Sequence, residues 1–340
     1  MTLTRTRLLG AGLAAALTAG TLLAAPPAAQ AAPVFTQLET SPYYYSSYSG
    51  TCTNDGSTGS VPAGVPLAEN GTPVAAAVSS TGKYYATGNP ADKITNTSTL
   101  QATAMATAAA GQPASVKVDF SGTITADAVN PTSACNVYAP AGLEVDFGFT
   151  LTQPMWATLK ITRKGSVYAE AYIYDNVTPN DPEQDLYGKY LDGTGTSTVL
   201  LPPGTYSGYV EGDVRKQTNM DFSGTGSGSA SITFAPVGSA SKAPSGKASK
   251  YVALPGTRAC ATHNATSTLT TKKKLLKQID KVTFTVNGKK AATLKGKKLK
   301  KGKSVALALA DNAAADITAT VALENGKKKT VSASYLACTS

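Results

Sequence analysis

The sequence predicts an all-β protein built from two β-sandwich domains that are joined by a flexible linker. Three observations support this prediction. Apolar and polar residues alternate with a period of two, as in half-buried strands, and long helical periodicity is absent. Glycine and proline recur at intervals of about 8–12 residues, which is typical of sandwiches and jelly rolls. Charges and cysteines divide the chain into two unlike parts.

The first 31 residues have the features of a secretory signal peptide. Arg5 and Arg7 form a positive amino-terminal region, and residues 8–25 are a nearly continuous apolar run. The motif A-Q-A at 29–31 matches a cleavage site, so we expect the mature chain to begin at Ala32. We expect no transmembrane segment after it. The predicted location is therefore secreted, either extracellular or associated with the cell envelope.

Composition divides the mature chain into an acidic domain, residues 32–236, and a basic domain, residues 251–340. Residues 32–236 contain nine Lys or Arg and seventeen Asp or Glu, a net charge of −8, whereas residues 237–340 contain twenty and four, a net charge of +16. Residues 237–250 (VGSASKAPSGKASK) have the Ser, Gly, Pro and Lys content of a flexible linker. The overall charge of +10 therefore conceals two domains of opposite sign.

Four cysteines in an exported protein predict two disulfides. Cys52 and Cys135 lie in the acidic domain, and Cys260 and Cys338 lie in the basic one. Three connectivities are possible, and the linker between the two pairs favours local pairing, Cys52–Cys135 and Cys260–Cys338. Each bridge would contribute about 4 kcal/mol by closing a loop of about eighty residues.

Alternating segments define the strands of the acidic domain. LEVDFGFTL (143–151) places its apolar residues on one face and Glu144 and Asp146 on the other. VYAEAYIY repeats this pattern with tyrosines outward, and VKVDF, GTITADA and residues 100–110 indicate further short strands. Together with FTLTQPMWATLKI and LPPGTYSGYVEG, the segment from about 143 to 234 resembles the pre-peptidase C-terminal (PPC) domains of secreted bacterial proteins. The resemblance implies a jelly-roll-like sandwich with a non-catalytic, binding or accessory role.

The basic domain shows hairpin signals. VTFTV (282–286) is followed by Asn287-Gly288, and VALAL, DITATVAL and TVSASYLAC follow, with a second Asn-Gly at 325–326. Asn-Gly between alternating runs favours a type I′ turn because both residues tolerate a positive φ. This pattern resembles the hairpins of bacterial Ig-like domains. The resemblance implies an Ig-like sandwich that the Cys260–Cys338 bridge closes.

Thirteen lysines of the basic domain form the predicted polyanion-binding site. If residues 282–286 end at the Asn-Gly turn, antiparallel connections alternate between the two ends of the sandwich, so 271–280, 295–303 and 325–329 meet at one end. These connections carry Lys272, Lys273, Lys274, Lys277, Lys295, Lys297, Lys298, Lys300, Lys301, Lys303, Lys327, Lys328 and Lys329. The expected partners are anionic cell-wall or extracellular polymers, with no specific nucleic acid. A purely solvated charged surface is the alternative.

We predict a non-enzymatic protein without catalytic residues. His263 is the only histidine, no nucleophile-elbow motif accompanies it, and with Cys260 it makes a poor metal site. Glu144 and Asp146, roughly 7 Å apart along one strand, suit an inverting glycosidase pair, but the alternation favours a solvated surface. The alternative functions are an extracellular polysaccharide hydrolase or a carbohydrate-binding module that uses the first domain.

Tyrosines and one acidic loop supply the remaining candidate sites. SPYYYSSYSG (41–50) and the outward face of residues 167–174 carry clustered tyrosines, whose rings suit stacking against sugars. Residues 174–188 concentrate Asp, Asn and Glu oxygens of the kind that Ca²⁺ prefers, although their spacing is not that of an EF-hand. We predict no cofactor and no metal, with calcium in this loop as the alternative.

Overall fold

Antiparallel strands account for most of the described chain, which confirms the predicted all-β class. The computed structural model describes residues 33–175 and 189–339. The predicted signal peptide and residues 176–188 of the acidic loop lie outside the described residues. Within the described ranges, no helix has the length and apolar character needed to cross a membrane.

The first sandwich, residues 33–236, consists of two antiparallel sheets and a small ribbon. Its strands are β1 (Phe35–Tyr44), β2 (Ser47–Ser49), β3 (Cys52–Asn54), β4 (Thr58–Ser60), β5 (Val74–Ala86), β6 (Asn89–Ala109), β7 (Gln112–Ala128), β8 (Asn136–Tyr138), β9 (Ala141–Leu151), β10 (Met155–Gly165), β11 (Val167–Asp175), β12 (Lys189–Leu191), β13 (Gly195–Leu201), β14 (Gly204–Val214) and β15 (Phe222–Pro236). The five-stranded sheet has the order β1-β9-β14-β11-β12. The larger sheet has the order β13-β10-β15-β7-β6-β5-β3, with β4 also paired to β5, and β2 pairs with β8.

The core of the first sandwich lies between its two sheets, where the predicted alternation places it. Leu143, Val145 and Phe147 of β9 are at most 2% exposed and pack against apolar residues of the facing sheet, among them Ile161 and Ile232. The side chains between them on β9 point to the outer surface of the five-stranded sheet. The same strand thus supplies both the core and the candidate site described below.

Three segments predicted as short strands proved to be parts of two much longer strands. Residues 100–109 belong to β6, which has 21 residues, and VKVDF and GTITADA form the single 17-residue strand β7. Gly122, the first residue of the second motif, does not break β7. It pairs with both neighbouring strands, and the backbone carbonyl of Thr99 and the side chain of Val214 from the facing sheet occupy the space that a Cβ at this position would need.

The second sandwich, residues 237–339, has a separate hydrophobic core. Its strands are β16 (Ala240–Ser245), β17 (Val252–Ala253), β18 (Asn264–Leu269), β19 (Ile279–Val286), β20 (Lys289–Lys295), β21 (Ser304–Ala308), β22 (Ala315–Leu323) and β23 (Lys328–Tyr335). The short helix α1 (Lys273–Leu276) and the 3₁₀ turns Cys260–Thr262 and Gly296–Lys298 connect them. One sheet has the order β16-β23-β22-β19-β20, and the other has the order β17-β18-β21.

Both predicted disulfides are confirmed. Cys52 is bonded to Cys135 with a Cα–Cα distance of 5.5 Å, and Cys260 is bonded to Cys338 with a Cα–Cα distance of 5.6 Å. Each bridge lies within one sandwich. The Cys52–Cys135 bridge packs with Tyr84 in a small cluster beside the main core.

Residues 237–250, predicted as a flexible linker, are instead part of the second sandwich. Strand β16 pairs with the last strand, β23, and covers the edge of that sheet. Ala248 is fully buried, and its amide donates a hydrogen bond to the carbonyl of Thr330 at 2.9 Å. The linker prediction was wrong for this segment because Ser, Lys and Pro are tolerated on an edge strand, where one side of the backbone needs no partner.

The two Asn-Gly turns differ from each other. Asn287 and Gly288 have φ values of 50° and 76°, which confirms the predicted type I′ turn between β19 and β20. At the second site only Gly326 has a positive φ, 76°. Asn325 instead accepts a hydrogen bond from the amide of Lys327 through its side chain, at 3.2 Å. This turn is therefore a longer connection between β22 and β23.

The single tryptophan connects the two sandwiches. Trp156 lies on β10 of the first sandwich, and its indole Nε1 donates a hydrogen bond to the carbonyl of Ala337 at 2.8 Å. The amide of Gly238 donates to the same carbonyl at 3.3 Å. Trp156 thus reports on the folding of the first sandwich and on its contact with the second.

The assignment of β16 to the second sandwich leads to a test. Ala248→Glu places a charge in a fully buried position and should lower the free energy of unfolding by about 3 kcal/mol or more. Ser249→Glu, at the exposed neighbouring position, should have little effect. Urea denaturation of the two variants measures the difference. Equal stabilities would mean that this segment is the flexible linker that its composition predicts.

Candidate functional site

The three connections expected to carry the lysines do meet at one end of the second sandwich. The Glu324 amide donates a hydrogen bond to the Gln278 carbonyl at 2.9 Å. Residues of all three connections, among them Lys277, Lys295 and Glu324, line one pocket. Strand pairing places Lys281 opposite Lys295. We call this surface the lysine-rich end and define it by residues 271–280, 295–303 and 324–329.

The lysine side chains of this end face solvent. Twelve of the thirteen predicted lysines are exposed, and Lys329 is half-buried. In the connection before β19, the short helix α1 explains the arrangement, because Leu275 and Leu276 pack against the core while the lysines around them point outward. The local sequence of α1 therefore places both the leucines that hold it on the core and the lysines that face solvent.

One further lysine, which the sequence did not predict there, lies beside the lysine-rich end. Lys250, assigned to the linker, has its Nζ 5.2 Å from the ring centroid of Tyr251, and the Nζ of Lys329 lies 5.5 Å from the same centroid. The Tyr251 hydroxyl in turn donates to Gln278 Oε1 at 3.0 Å. The apolar pair Tyr251-Val252 directly after Lys250 was the signal in the sequence that the chain had already entered the core.

Two acidic residues lie among the lysines. Lys295 Nζ is 3.8 Å from Asp280 Oδ1, and Glu324 is exposed nearby. Both acids line an open pocket of about 360 Å³ with Lys277 and Lys295 at its sides and apolar Leu276 contributing to its wall. The end is thus strongly but not uniformly positive.

Lys289 and Lys290 lie at the opposite end of the second sandwich. They follow the Asn287-Gly288 turn and line a different pocket, together with Leu309 and Ala315. His263 is also near this opposite end, since its carbonyl accepts a hydrogen bond from the amide of Leu309.

The structure shows which side chains surround His263, the sequence-based candidate for a metal or catalytic site. Cys260 is bonded to Cys338 and is not a free metal ligand. His263 Nδ1 lies 2.5 Å from Asp311 Oδ2, and the imidazole is exposed. Across residues 33–175 and 189–339, no three His, Cys, Asp or Glu side chains are arranged to hold a metal ion. Most of the loop considered for calcium lies outside those ranges.

A second candidate site, invisible in the sequence, lies on the outer surface of the five-stranded sheet. Strand register places Glu211 of β14 directly opposite Glu144 of β9 on one side and Glu170 of β11 on the other. Asp146 and Asp213 flank this row on the same surface. We call this surface the carboxylate face and define it by Glu144, Asp146, Glu170, Glu211 and Asp213.

Tyrosine hydroxyls and one arginine satisfy the more buried carboxylates. The Tyr43 hydroxyl donates to Glu211 and also to Asp213 Oδ2, the latter at 2.8 Å. Arg215 Nε donates to Asp213 Oδ1 at 2.6 Å, and Arg215 Nη2 lies 3.2 Å from Glu211 Oε1. Asp213 is fully buried and Glu211 is 9% exposed, so this network replaces the water that both carboxylates lose.

Glu170 lies in a group of tyrosines. Its carboxylate accepts hydrogen bonds from the hydroxyls of Tyr209 and Tyr168, the latter at 2.8 Å. Tyr172 stacks against Tyr174 with a centroid distance of 5.2 Å, and Tyr190 is 48% exposed beside them. The predicted outward tyrosine face of β11 is therefore present and includes residues of β12 and β14.

The crowding of carboxylates changes their acidity. Burial, a hydrogen bond with Asp146 and the nearby charges of Asp146, Glu211 and Glu170 raise the pKa of Glu144 to about 8. Burial and the charge of Asp213 raise the pKa of Glu211 to about 7, although the hydrogen bond from Tyr43 and the charge of Arg215 oppose this rise. Glu144 lies on the outer surface of the sheet, as the alternation predicts, and its raised pKa reflects neighbours from strands distant in sequence.

Comparisons with known proteins give no family. No protein-family model and no curated protein matches the chain. Among solved structures, it is similar to the adhesin domain of Epf from Streptococcus pyogenes at 11% identity and a TM-score of 0.19, over 67% of this chain and 81% of that one. It is also similar to the glycoside hydrolase domain of Endo-D from Streptococcus pneumoniae at 14% identity and a TM-score of 0.20, over 72% of this chain and 37% of that one. Likenesses this distant carry no argument about function, and the PPC and Ig-like resemblances stay predictions.

The raised pKa of Glu144 leads to a test of stability against pH. A carboxyl whose pKa rises on folding holds its proton more tightly in the folded state, so stability falls as pH increases from about 4.5 to about 8 and levels off above it. Glu144→Gln should flatten the upper part of this slope, from about pH 7 to about 8, because Glu211, whose pKa is raised to about 7, still titrates below it. Denaturation followed by Trp156 fluorescence between these pH values measures it.

The matched control is Glu39→Gln, an exposed position on β1 that lies opposite Asp146. This variant should keep the slope of the unchanged protein. A slope between about pH 7 and 8 that survives in Glu144→Gln would show that Glu144 does not hold the proton.

Proposed function

We propose that the protein is a secreted, non-enzymatic binding or accessory protein whose lysine-rich end retains it on anionic polymers of the bacterial cell envelope. The observation that carries this proposal is the convergence of three separate connections, with thirteen lysines and two acids, at one end of the second sandwich. The two disulfides are compatible with an oxidising, extracellular compartment. The amino-terminal signal in the sequence supports export.

The arrangement suits a repeating polyanion. Each exposed lysine near an anionic surface contributes about 1 kcal/mol, and this attraction falls off within a Debye length of about 10 Å at 0.1 M salt. Contacts by only a few of the lysines are enough for retention at low ionic strength. The acidic first sandwich, with a net charge of −8 over residues 32–236, has the opposite preference.

Charge removal at the two ends of the second sandwich tests the proposal. Lys297→Gln with Lys298→Gln, in the lysine-rich end, should lower retention on anionic wall polymer at least tenfold, since two contacts of about 1 kcal/mol each are lost. Lys289→Gln with Lys290→Gln removes the same charge at the opposite end and should have little effect. Salt elution from immobilised polymer measures both.

Equal losses from the two pairs would show that diffuse positive charge is responsible and that the convergence has no role. Failure of the unchanged protein to bind any anionic polymer would leave the lysine-rich end as a charged surface that only keeps the protein soluble.

A second candidate function uses the first sandwich, as a carbohydrate-binding module or a polysaccharide hydrolase. The observation that favours it is that the stacked tyrosines Tyr172 and Tyr174 share one sheet surface with the row of Glu170, Glu211 and Glu144. Tyrosine rings stack on sugar rings, and the raised pKa of Glu144 suits a general acid. This function is compatible with retention by the second sandwich.

Tyrosine truncation tests the second candidate. Tyr190→Ala removes an exposed ring of this group and should weaken binding to the saccharide selected on a glycan array by about tenfold, as expected for the loss of one stacking contact. Met220→Ala, which truncates an exposed side chain of the first sandwich outside both tyrosine groups, is the control. Hydrolysis of the bound saccharide that disappears in Glu144→Gln would identify a hydrolase, and binding without hydrolysis would identify a binding module.

A further inference from the structure

The carboxylate face has too few cations for its charge. Glu144, Glu211 and Glu170 are direct cross-strand neighbours, and like charges in such pairs destabilise a sheet. Within the described ranges, Arg215 is the only cation that forms an ion pair with this face, and its partners are Glu211 and Asp213. Asp146 and Glu170 are partly exposed, so a cation from outside can reach them.

The carboxylate face already binds one cation in the way that an external one would bind. The guanidinium of Arg215 lies 3.7 Å from the ring centroid of Tyr168, a cation–π contact, while it also pairs with Asp213. Tyr168 hydrogen-bonds to the exposed Tyr190 at 3.1 Å. Rings and carboxylates suited to further ammonium groups therefore continue from this contact toward solvent.

The lysine-rich end has too few acidic residues for its positive charge. Its thirteen lysines share the two acids Asp280 and Glu324, and the ion pair between Lys295 and Asp280 is long, at 3.8 Å. Each of the two surfaces presents the charges that the other lacks. Both belong to the same chain, so a solution of this protein always contains them in equal numbers.

We propose that the lysine-rich end of one copy docks on the carboxylate face of a second copy. The two surfaces differ, so the contact is heterologous and leaves one free surface of each kind on every pair. Association therefore continues head to tail, into an open chain or a closed ring. This inference goes beyond retention on the envelope, with which it shares the lysine-rich end, and an anionic polymer competes with it for the same lysines.

Complementary charge reversal tests the proposal on the full mature chain. One variant, Glu39→Lys with Glu170→Lys, reverses the charge of one acid of the carboxylate face and of Glu39, which lies opposite Asp146 at its edge. The other, Lys297→Glu with Lys298→Glu, changes exposed positions of the lysine-rich end. Lys289→Glu with Lys290→Glu reverses the same charge at the far end and is the matched control. Circular dichroism and Trp156 fluorescence verify the fold of each.

Sedimentation velocity gives the readout at about 0.01 M and about 1 M salt, where the Debye length is about 30 Å and about 3 Å. The unchanged protein and the control should form larger species at low salt and dissociate at high salt. Each reversed variant alone should associate at least tenfold more weakly, and an equimolar mixture of the two should associate again. The mixture supplies one unchanged copy of each surface.

Three results would overturn the proposal: an unchanged protein that is monomeric at low salt, a lysine-rich-end variant that associates as well as the unchanged protein, or a mixture that stays monomeric. Retention on anionic polymer is measured on the same samples. A monomeric protein that is still retained refutes the self-association alone, whereas a self-associating protein that is not retained refutes the proposed envelope binding alone.

Discussion

The antiparallel register of the strands is the constraint on which the rest of this structure depends. A strand has a side-chain period of two, so the register that turns Leu143, Val145 and Phe147 into the core must turn Glu144 and Asp146 outward. The same register aligns Glu144, Glu211 and Glu170 across three strands. A shift by one residue would bury the acids and expose the core. Packing of the core therefore fixes the acidic row, even though the row itself is unfavourable.

The repulsion between the acids of the carboxylate face, and their loss of water, are compensated by other interactions of the first sandwich. Hydrogen bonds from Tyr43 and Arg215 replace water around the buried Asp213 and Glu211. A shifted pKa reduces the repulsion further, because Glu144 keeps its proton near neutral pH rather than adding a third charge. A large apolar core and the Cys52–Cys135 bridge stabilise the sandwich that carries the face. Strained charge arrangements of this kind are common at functional sites.

The lysines meet at one end of the second sandwich because of the antiparallel course of its strands, and not because of interactions in its core. Antiparallel strands return the chain to the same end at every second connection, and each of those connections in the second sandwich is rich in lysine. Leucines of α1 and the ring of Tyr251 hold these segments against the core. The end is therefore rigidly placed while its charges remain in solvent, which is the arrangement that suits contact with an extended polyanion or with the acidic surface of another copy.

Local periodicity and composition were enough to predict the strands β9, β11, β19 and β22, the type I′ turn at Asn287-Gly288, the two disulfides, the opposite charges of the two halves and the end at which the lysines meet. The continuity of β6 and β7, the pairing of residues 240–245 with β23 and the row of three glutamates could be read from the folded chain alone. Alternation states which way a side chain points, whereas the identity of its cross-strand neighbour depends on pairings between residues tens of positions apart.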